Sequence, residues 1–191
     1  IKTLGLNELA PFNPKDRIIE YLLENSNEKK LVNLSLSDFV NETSSESPAP
    51  GGGSISAYCG AMGVALGTMV ANLSAHKRGW DNRWKEFSDW AEKGLAYQNT
   101  LLDLVDEDTN AFNKIMYAFR LPKDTDIDKV KRKEAIQEAT KFAIQTPFKV
   151  METAFNSMEV MEAMAKSGNP NSITDAGVGA LSIYSAWPQG R

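Results

Sequence analysis

Ser47-Pro48-Ala49-Pro50-Gly51-Gly52-Gly53-Ser54, continuing as Ile55-Ser56-Ala57-Tyr58-Cys59-Gly60-Ala61-Met62-Gly63-Val64-Ala65-Leu66-Gly67-Thr68-Met69-Val70-Ala71-Asn72-Leu73-Ser74-Ala75, carries no charged side chain. The prolines disfavour helix before Gly51, and the glycines allow a turn or a close backbone approach, so a helix is predicted to begin at Ser54. A helix N-terminus behind bare glycines is a ready anion site. The small residues Ala57, Gly60, Ala61, Gly63, Ala65, Gly67 and Ala71 leave little room between this helix and its neighbours. The spacings Gly63-x-x-x-Gly67 and Ala57-x-x-x-Ala61-x-x-x-Ala65 favour close helix–helix contact. About 20 apolar residues suffice to span a bilayer. Here, however, Gly, Ala, Ser and Thr outnumber Leu, Ile, Val and Phe, and no basic cluster flanks both ends. The expectation is a buried central helix rather than a membrane span, since a helix apolar on all sides must be enclosed.

Working outward, the 191 residues are 42% hydrophobic and 24% charged, enough for one globular domain with a proper core. The net charge of −4 argues against a general nucleic-acid binder. The single cysteine, Cys59, cannot form an internal disulfide and reads as a small buried apolar group. With no leader evident at Ile1, a reducing cytoplasmic setting is the default expectation. The absence of an initial methionine suggests a piece of a longer product.

Residues 1–24 stand apart. Pro11-Phe12-Asn13-Pro14 leads into a short helix through Leu23, and the polar run from Asn25 to Lys30 reads as a linker. A second short helix is expected over 35–42, with Leu36, Phe39 and Val40 able to share a face. Beyond the central helix, Trp80, Trp84, Phe87, Ala91 and Leu95 recur at amphipathic spacing. A further stripe runs Leu101, Val105, Asp108, Phe112, Ile115, Phe119. A charged helix around 126–146 is expected to reach Pro147, followed by a stripe of Phe148, Met151, Phe155 and Met158. No alternating strand pattern of useful length occurs, so the predicted fold is all-α, an up-and-down helical bundle.

Metal and nucleotide chemistry find no support: one His and one Cys make no ligand cluster, and the glycine run lacks the Gly-Lys-Ser/Thr ending of a P-loop. Cys59 and His76 stand about 25 Å apart on a continuous helix, too far for a catalytic pair. His76, beside Lys77 and Arg78, reads as a solvated charge at a helix end. Asp106 and Glu107 fall off the apolar seam, with an ordinary solvated reading. Asp108 occupies a seam position where Leu or Phe would continue the stripe. Partial desolvation suits a carboxylate for proton transfer near neutral pH. The alternative is that Asp108 caps a new helix beginning at Thr109. Asp175 in Thr174-Asp175-Ala176-Gly177 reads on pattern as another N-cap. Arg120 and Lys123 are cations near a turn.

These blocks resemble the formiminotransferase–cyclodeaminase family. The likeness is carried by Ser47 to Ser54, Ala61 to Val70, Leu104-Val105-Asp106-Glu107-Asp108-Thr109-Asn110-Ala111-Phe112, Arg120-Leu121-Pro122-Lys123 and Ser167-Gly168-Asn169. They lie in order over about residues 33–181. Residues 1–29 look like the end of an upstream formiminotransferase domain with its linker, and residues 30–191 like the cyclodeaminase domain. The resemblance implies an all-helical, dimer-forming domain that converts 5-formimidoyltetrahydrofolate to 5,10-methenyltetrahydrofolate with release of ammonia. It implies a tetrahydrofolate derivative as substrate, polyglutamylated forms included, and requires no metal. It assigns the catalytic role to Asp108, the second aspartate of the Val-Asp-x-Asp block. Pro50, Gly51, Gly52, Gly53 and Ser54 would line the folate site, Lys123 would face the glutamate tail, and Asp175 joins the substrate-binding set. After Leu181 the family pattern continues into a helix that this sequence lacks, so the C-terminus reads as incomplete. Two alternatives stay open: a methenyltetrahydrofolate cyclohydrolase, and a non-catalytic helical oligomerisation domain.

Overall fold

The computed structural model describes residues 30–187. The expected end of an upstream domain within residues 1–29 lies outside that range. Among the described residues there is no strand, and the all-α expectation holds. Across the described residues five α-helices follow one another: α1 Leu36–Thr43, α2 Gly52–Ala75, α3 Trp84–Arg120, α4 Asp126–Ser167 and α5 Ile173–Tyr184. Ser35 caps α1 by accepting the Asp38 amide, and Thr125 and Asp128 close a reciprocal capping box at the start of α4. Helix α2 begins at Gly52, two residues earlier than expected, and ends on His76, its exposed C-cap residue. Gly79, at φ 84°, makes the left-handed turn toward α3.

Stripes named separately in the sequence merge into longer helices. Helix α3 runs unbroken for 37 residues, so the two stripes predicted on it belong to one helix. Helix α4 passes through Pro147 without ending. A proline inside a helix costs about 3 kcal/mol, but Thr146 and Val150 on either side of it are fully buried, and that packing holds the helix together.

Helix α2 is the centre, with α3, α4 and α5 packed on it. From α2 onward successive helices run antiparallel. The start of α2 meets Asp108 late in α3, Thr68 meets Gly94, and Gly63 meets Gly179. By length and composition α2 could cross a bilayer, but three helices of the same chain cover most of it. Its side chains Met62, Met69 and Leu73 remain exposed. Cys59 is half-buried rather than enclosed.

The apolar stripes are sorted by how closely each helix approaches α2. On α4 the buried face is Val150, Ala154, Ser157, Val160, Met161 and Met164, whereas Phe148 and Phe155 of the predicted stripe are exposed. The face bearing Ala154 and Ser157 lets α4 come close to the small-residue helix; bulky phenylalanines would hold it off. On α3, Phe87 and Ala91 are buried while Trp84 and Leu95 face outward. Only Phe39 of the α1 trio is buried, with its ring centroid 5.1 Å from that of Tyr58. Tyr97 and Lys93 of α3 clasp Glu159 of α4 at 2.6 and 2.7 Å. These two partners hold the Glu159 carboxyl below the usual range, and the hydrogen bond to Glu159 pushes the Tyr97 phenol up to about 12.

At 1.5 Å per residue α2 is about 36 Å long and α3 about 55 Å. The last part of α3 and the first part of α4 therefore extend beyond the start of α2 as a two-helix arm. The seam Leu101-Val105-Asp108-Phe112-Phe119 is fully buried at Leu101 and Val105, whereas Phe112 and Phe119 are 39% and 52% exposed. Asp108 stands at the point where the seam leaves the core.

The glycines of α2 differ in what they allow. A Cβ at Gly63 would lie 2.6 Å from the Gly179 carbonyl and 2.9 Å from the Ile183 amide, both backbone of α5. The atoms nearest a Cβ at Gly67 would be the terminal methyl and sulfur of Met161 and a methyl of Val160. The methionine end can swing aside; the backbone cannot. Gly63→Ala should lower stability by about 1–3 kcal/mol and Gly67→Ala by clearly less. Thermal unfolding of the two variants checks this, and equal losses would contradict the packing order.

Candidate active site

Three consecutive acidic residues of α3 have three different partners. Asp106 accepts the Leu31 amide at 2.7 Å and anchors the chain as it enters the domain. Burial pushes its carboxyl up, while the backbone amides of Leu31 and Val32 and the charge of Lys30 pull it back in part. Glu107 pairs with Lys149 of α4 at 2.7 Å. Neither is the solvated bystander that its position off the seam suggests.

Asp108 is half-buried at the start of α2. Its Oδ2 accepts the Ser54 amide at 2.9 Å and lies 3.1 Å from the Ser54 hydroxyl. Helix α2 has Gly51 at its N-cap, with no side chain to satisfy its first amides. An N-cap side chain ordinarily accepts from the second or third helical amide. Asp108 supplies that acceptor from the neighbouring helix, and its negative charge lies at the positive end of the α2 dipole. It does not cap a helix at Thr109, because α3 is continuous there. Its surroundings also differ from the apolar seam expected, since hydrogen-bond donors hold the carboxylate.

A small cleft of about 210 Å3 opens beside Asp108, walled by Pro48, Ala49, Gly51, Thr109, Phe112 and Ala143. A second cleft of about 410 Å3 shares Pro48 and Phe112 and continues past Met116 and Tyr117 to Arg120. The two make a trough along the outer face of α3, about 18 Å from Asp108 to Arg120. A larger cavity, about 750 Å3, lies between α3 and α4 and is lined by Glu107, Asn110, Lys114, Tyr117, Glu138 and Phe142, without Asp108.

The structure thus brings Gly51, Gly53 and Ser54 to Asp108. Pro50, joined to Ala49 by a cis peptide bond, is buried, and Gly52 is exposed. Ser54 is entirely buried, so its partner in this structure is Asp108 rather than a ligand. Lys123 is exposed in the turn after α3, beyond the far end of the trough. Asp175 is not an N-cap: it lies in the first turn of α5, whose N-cap is Ser172. Since Gly179 faces Gly63, Asp175 is more than about 15 Å along α2 from Gly53, away from Asp108. Thr109 and Phe112 are site residues that the sequence patterns do not single out. Their signal is membership of the same sequence block as Asp108, with Phe112 on its seam, which continues past the start of the central helix.

The profile of the family described as Formiminotransferase-cyclodeaminase matches residues 35–190. The chain belongs to the formiminotransferase-cyclodeaminase family. It is 36% identical over 184 residues to the formimidoyltransferase-cyclodeaminase of Rattus norvegicus, covering 96% of this chain and 34% of the relative. It is 37% identical over 152 residues to the methenyltetrahydrofolate cyclohydrolase of Methylorubrum extorquens, covering 80% of this chain and 73% of that protein. The crystal structure of formiminotetrahydrofolate cyclodeaminase from Thermotoga maritima superposes with a TM-score of 0.70 at 28% identity, over 81% of this chain and 73% of the other. The chain spans about a third of the length of the formimidoyltransferase-cyclodeaminases that it matches.

The capping role of Asp108 can be measured without substrate. Asp108→Ala should destabilise the domain by about 1 kcal/mol, as loss of an N-cap acceptor does. Asp108→Asn keeps an oxygen for the Ser54 amide and should unfold close to wild type. Denaturant melts of both variants check this; an unaltered midpoint for Asp108→Ala would show that the cap carries no weight.

Proposed function

We propose that this chain is the cyclodeaminase part of a formimidoyltransferase-cyclodeaminase, an ammonia-releasing lyase that converts 5-formimidoyltetrahydrofolate to 5,10-methenyltetrahydrofolate. The observation that carries the reading is the Asp108 carboxylate, oriented by the start of α2 and lining an open cleft. In the reaction, N10 of the folate attacks the formimidoyl carbon. The tetrahedral adduct then has an acidic proton on N10 and an amine that must leave. One carboxylate can take the N10 proton and return it to the departing nitrogen, so that ammonia leaves and the methenyl bridge forms. General acid–base help of this kind is worth roughly 100- to 10,000-fold.

The trough supports an orientation for the substrate. Its reactive end would lie at Asp108 against Pro48, Gly51 and Phe112, with the glutamate tail running along α3 toward Arg120 and Lys123. Those cations suit a carboxylate-bearing tail. No group of His, Cys, Asp and Glu suited to a metal ion occurs among the described residues, and proton transfer by Asp108 requires none. The exposed apolar residues Met62 and Leu73 of α2 and Val178 and Leu181 of α5 support pairing with a second copy. The relatives aligned over 184 residues are bifunctional by name, which supports a formiminotransferase domain alongside this one in the parent protein and residues 1–29 as its end. The lone cysteine accords with a cytoplasmic setting.

The second reading, methenyltetrahydrofolate cyclohydrolase, is favoured by the similarity to the Methylorubrum extorquens protein over most of its length. The two activities share the bridged one-carbon unit and differ in the group expelled or added. Asp108→Asn should reduce ammonia release from 5-formimidoyltetrahydrofolate by at least about 100-fold while folate binding persists. Parallel assays of ammonia release and of methenyl hydrolysis on the wild-type protein separate the readings. Hydrolysis without ammonia release would assign the chain to the cyclohydrolases, and an Asp108→Asn protein with full turnover would remove Asp108 from the chemistry.

A further inference from the structure

Ser54 has no surface through which to meet a ligand: it is 0% exposed. Its hydroxyl oxygen lies 2.9 Å from the Val105 carbonyl, 3.1 Å from Oδ2 of Asp108 and 3.4 Å from the Thr109 hydroxyl. A serine hydroxyl has one proton and two lone pairs. The Val105 carbonyl accepts only, and within an α-helix it already serves the amide four residues on. The Ser54 proton therefore has three acceptors within reach, of which the carbonyl has a partner elsewhere and the Thr109 hydroxyl, at 3.4 Å, is the most distant. Gly53 completes the arrangement. A Cβ built there would lie 2.1 Å from Oδ1 and 2.3 Å from Cγ of Asp108, so the carboxylate rests directly over the glycine. No residue larger than glycine fits at this position without displacing it.

We propose that Gly53 and Ser54 are positioning residues for Asp108, with the Ser54 hydroxyl acting as a rotor that keeps the carboxyl group hydrogen-bonded in both protonation states. This rests on the functional reading of Asp108 given above. When Asp108 is ionised, the Ser54 O–H donates to Oδ2. When Oδ2 carries a proton, that proton donates to Ser54 Oγ and the serine O–H turns to the Val105 carbonyl. The serine gains and loses nothing over the cycle. The Ser54 amide holds Oδ2 in place throughout, so the carboxyl plane stays fixed while its proton comes and goes. Pre-set geometry of this kind acts on the chemical step, because a misplaced proton acceptor loses rate even where the substrate binds normally.

The test uses steady-state kinetics of ammonia release by the whole purified protein. Ser54→Ala is expected to lower kcat by roughly 10- to 100-fold with KM changed less than about twofold. Gly53→Ala keeps the hydroxyl but lifts the carboxylate away, and should give the same pattern, which keeps the test decisive if Ser54→Ala fails to fold. Ser157→Ala removes an equally buried hydroxyl that donates only to the Ala154 carbonyl, and should leave kcat unaltered. In an Asp108→Asn background, Ser54→Ala should lower the residual rate less than about twofold, because residues that act as a unit are non-additive. Wild-type kcat in either Ser54→Ala or Gly53→Ala overturns the proposal, as does a raised KM with unchanged kcat, which would make these residues substrate contacts. An equal loss in Ser157→Ala also overturns it, by making the effect one of stability. If Asp108→Asn itself retains full turnover, the functional reading fails first, and that outcome is recognisable without the other variants.

Discussion

A carboxylate from the middle of one helix laid on the bare N-terminus of another is the interaction on which the site depends. Helix α2 starts with glycine at its N-cap and its first two helical positions, so it has no side chain of its own to satisfy its leading amides. The acceptor comes from Asp108 of α3, 54 residues on. This fixes the axial register of α2 against α3 and at the same time orients a titratable group at the edge of the core. The small-residue character of α2 serves the same end, because only a close helix pair lets an aspartate side chain reach across.

The lengths of the helices decide why that edge is open. Helix α3 continues about three turns past the start of α2 and carries its seam into a region with no central helix to cover it. Phe112 and Met116, which would be core residues in a longer bundle, instead wall a trough. Asp108 sits at the boundary, with a structured donor set on one side and an accessible cleft on the other. The trough ends at the cationic side chain of Arg120.

Much of this is legible in the sequence for identifiable reasons. The charge-free run of small residues calls for enclosure on every side and so for a central helix, and a carboxylate on an apolar seam singles out Asp108. The departures share a cause. Local preference places a helix end at Pro147, whereas tertiary burial of Thr146 and Val150 carries the helix through. The choice between the Phe148 and Val150 faces of α4 depends on the shape of its partner, which periodicity alone does not contain. Ser54 reads as a ligand contact because it stands in a glycine-rich loop. Its burial depends on α3, which approaches from a distant part of the chain. Asp106 and Asp175 depart likewise: one finds a backbone amide 75 residues away, and the other lies inside a helix that a short 3-10 turn at Pro170–Ser172 has already begun.

The most direct test is a crystal structure of the Asp108→Asn protein with 5-formimidoyltetrahydrofolate bound. The formimidoyl nitrogen or N10 should lie within about 2.6–3.2 Å of the residue 108 side chain, with the glutamate tail directed along α3 toward Arg120. A folate seated instead in the cavity between α3 and α4, beside Lys114 and Phe142 with its one-carbon unit out of reach of residue 108, would contradict a catalytic Asp108.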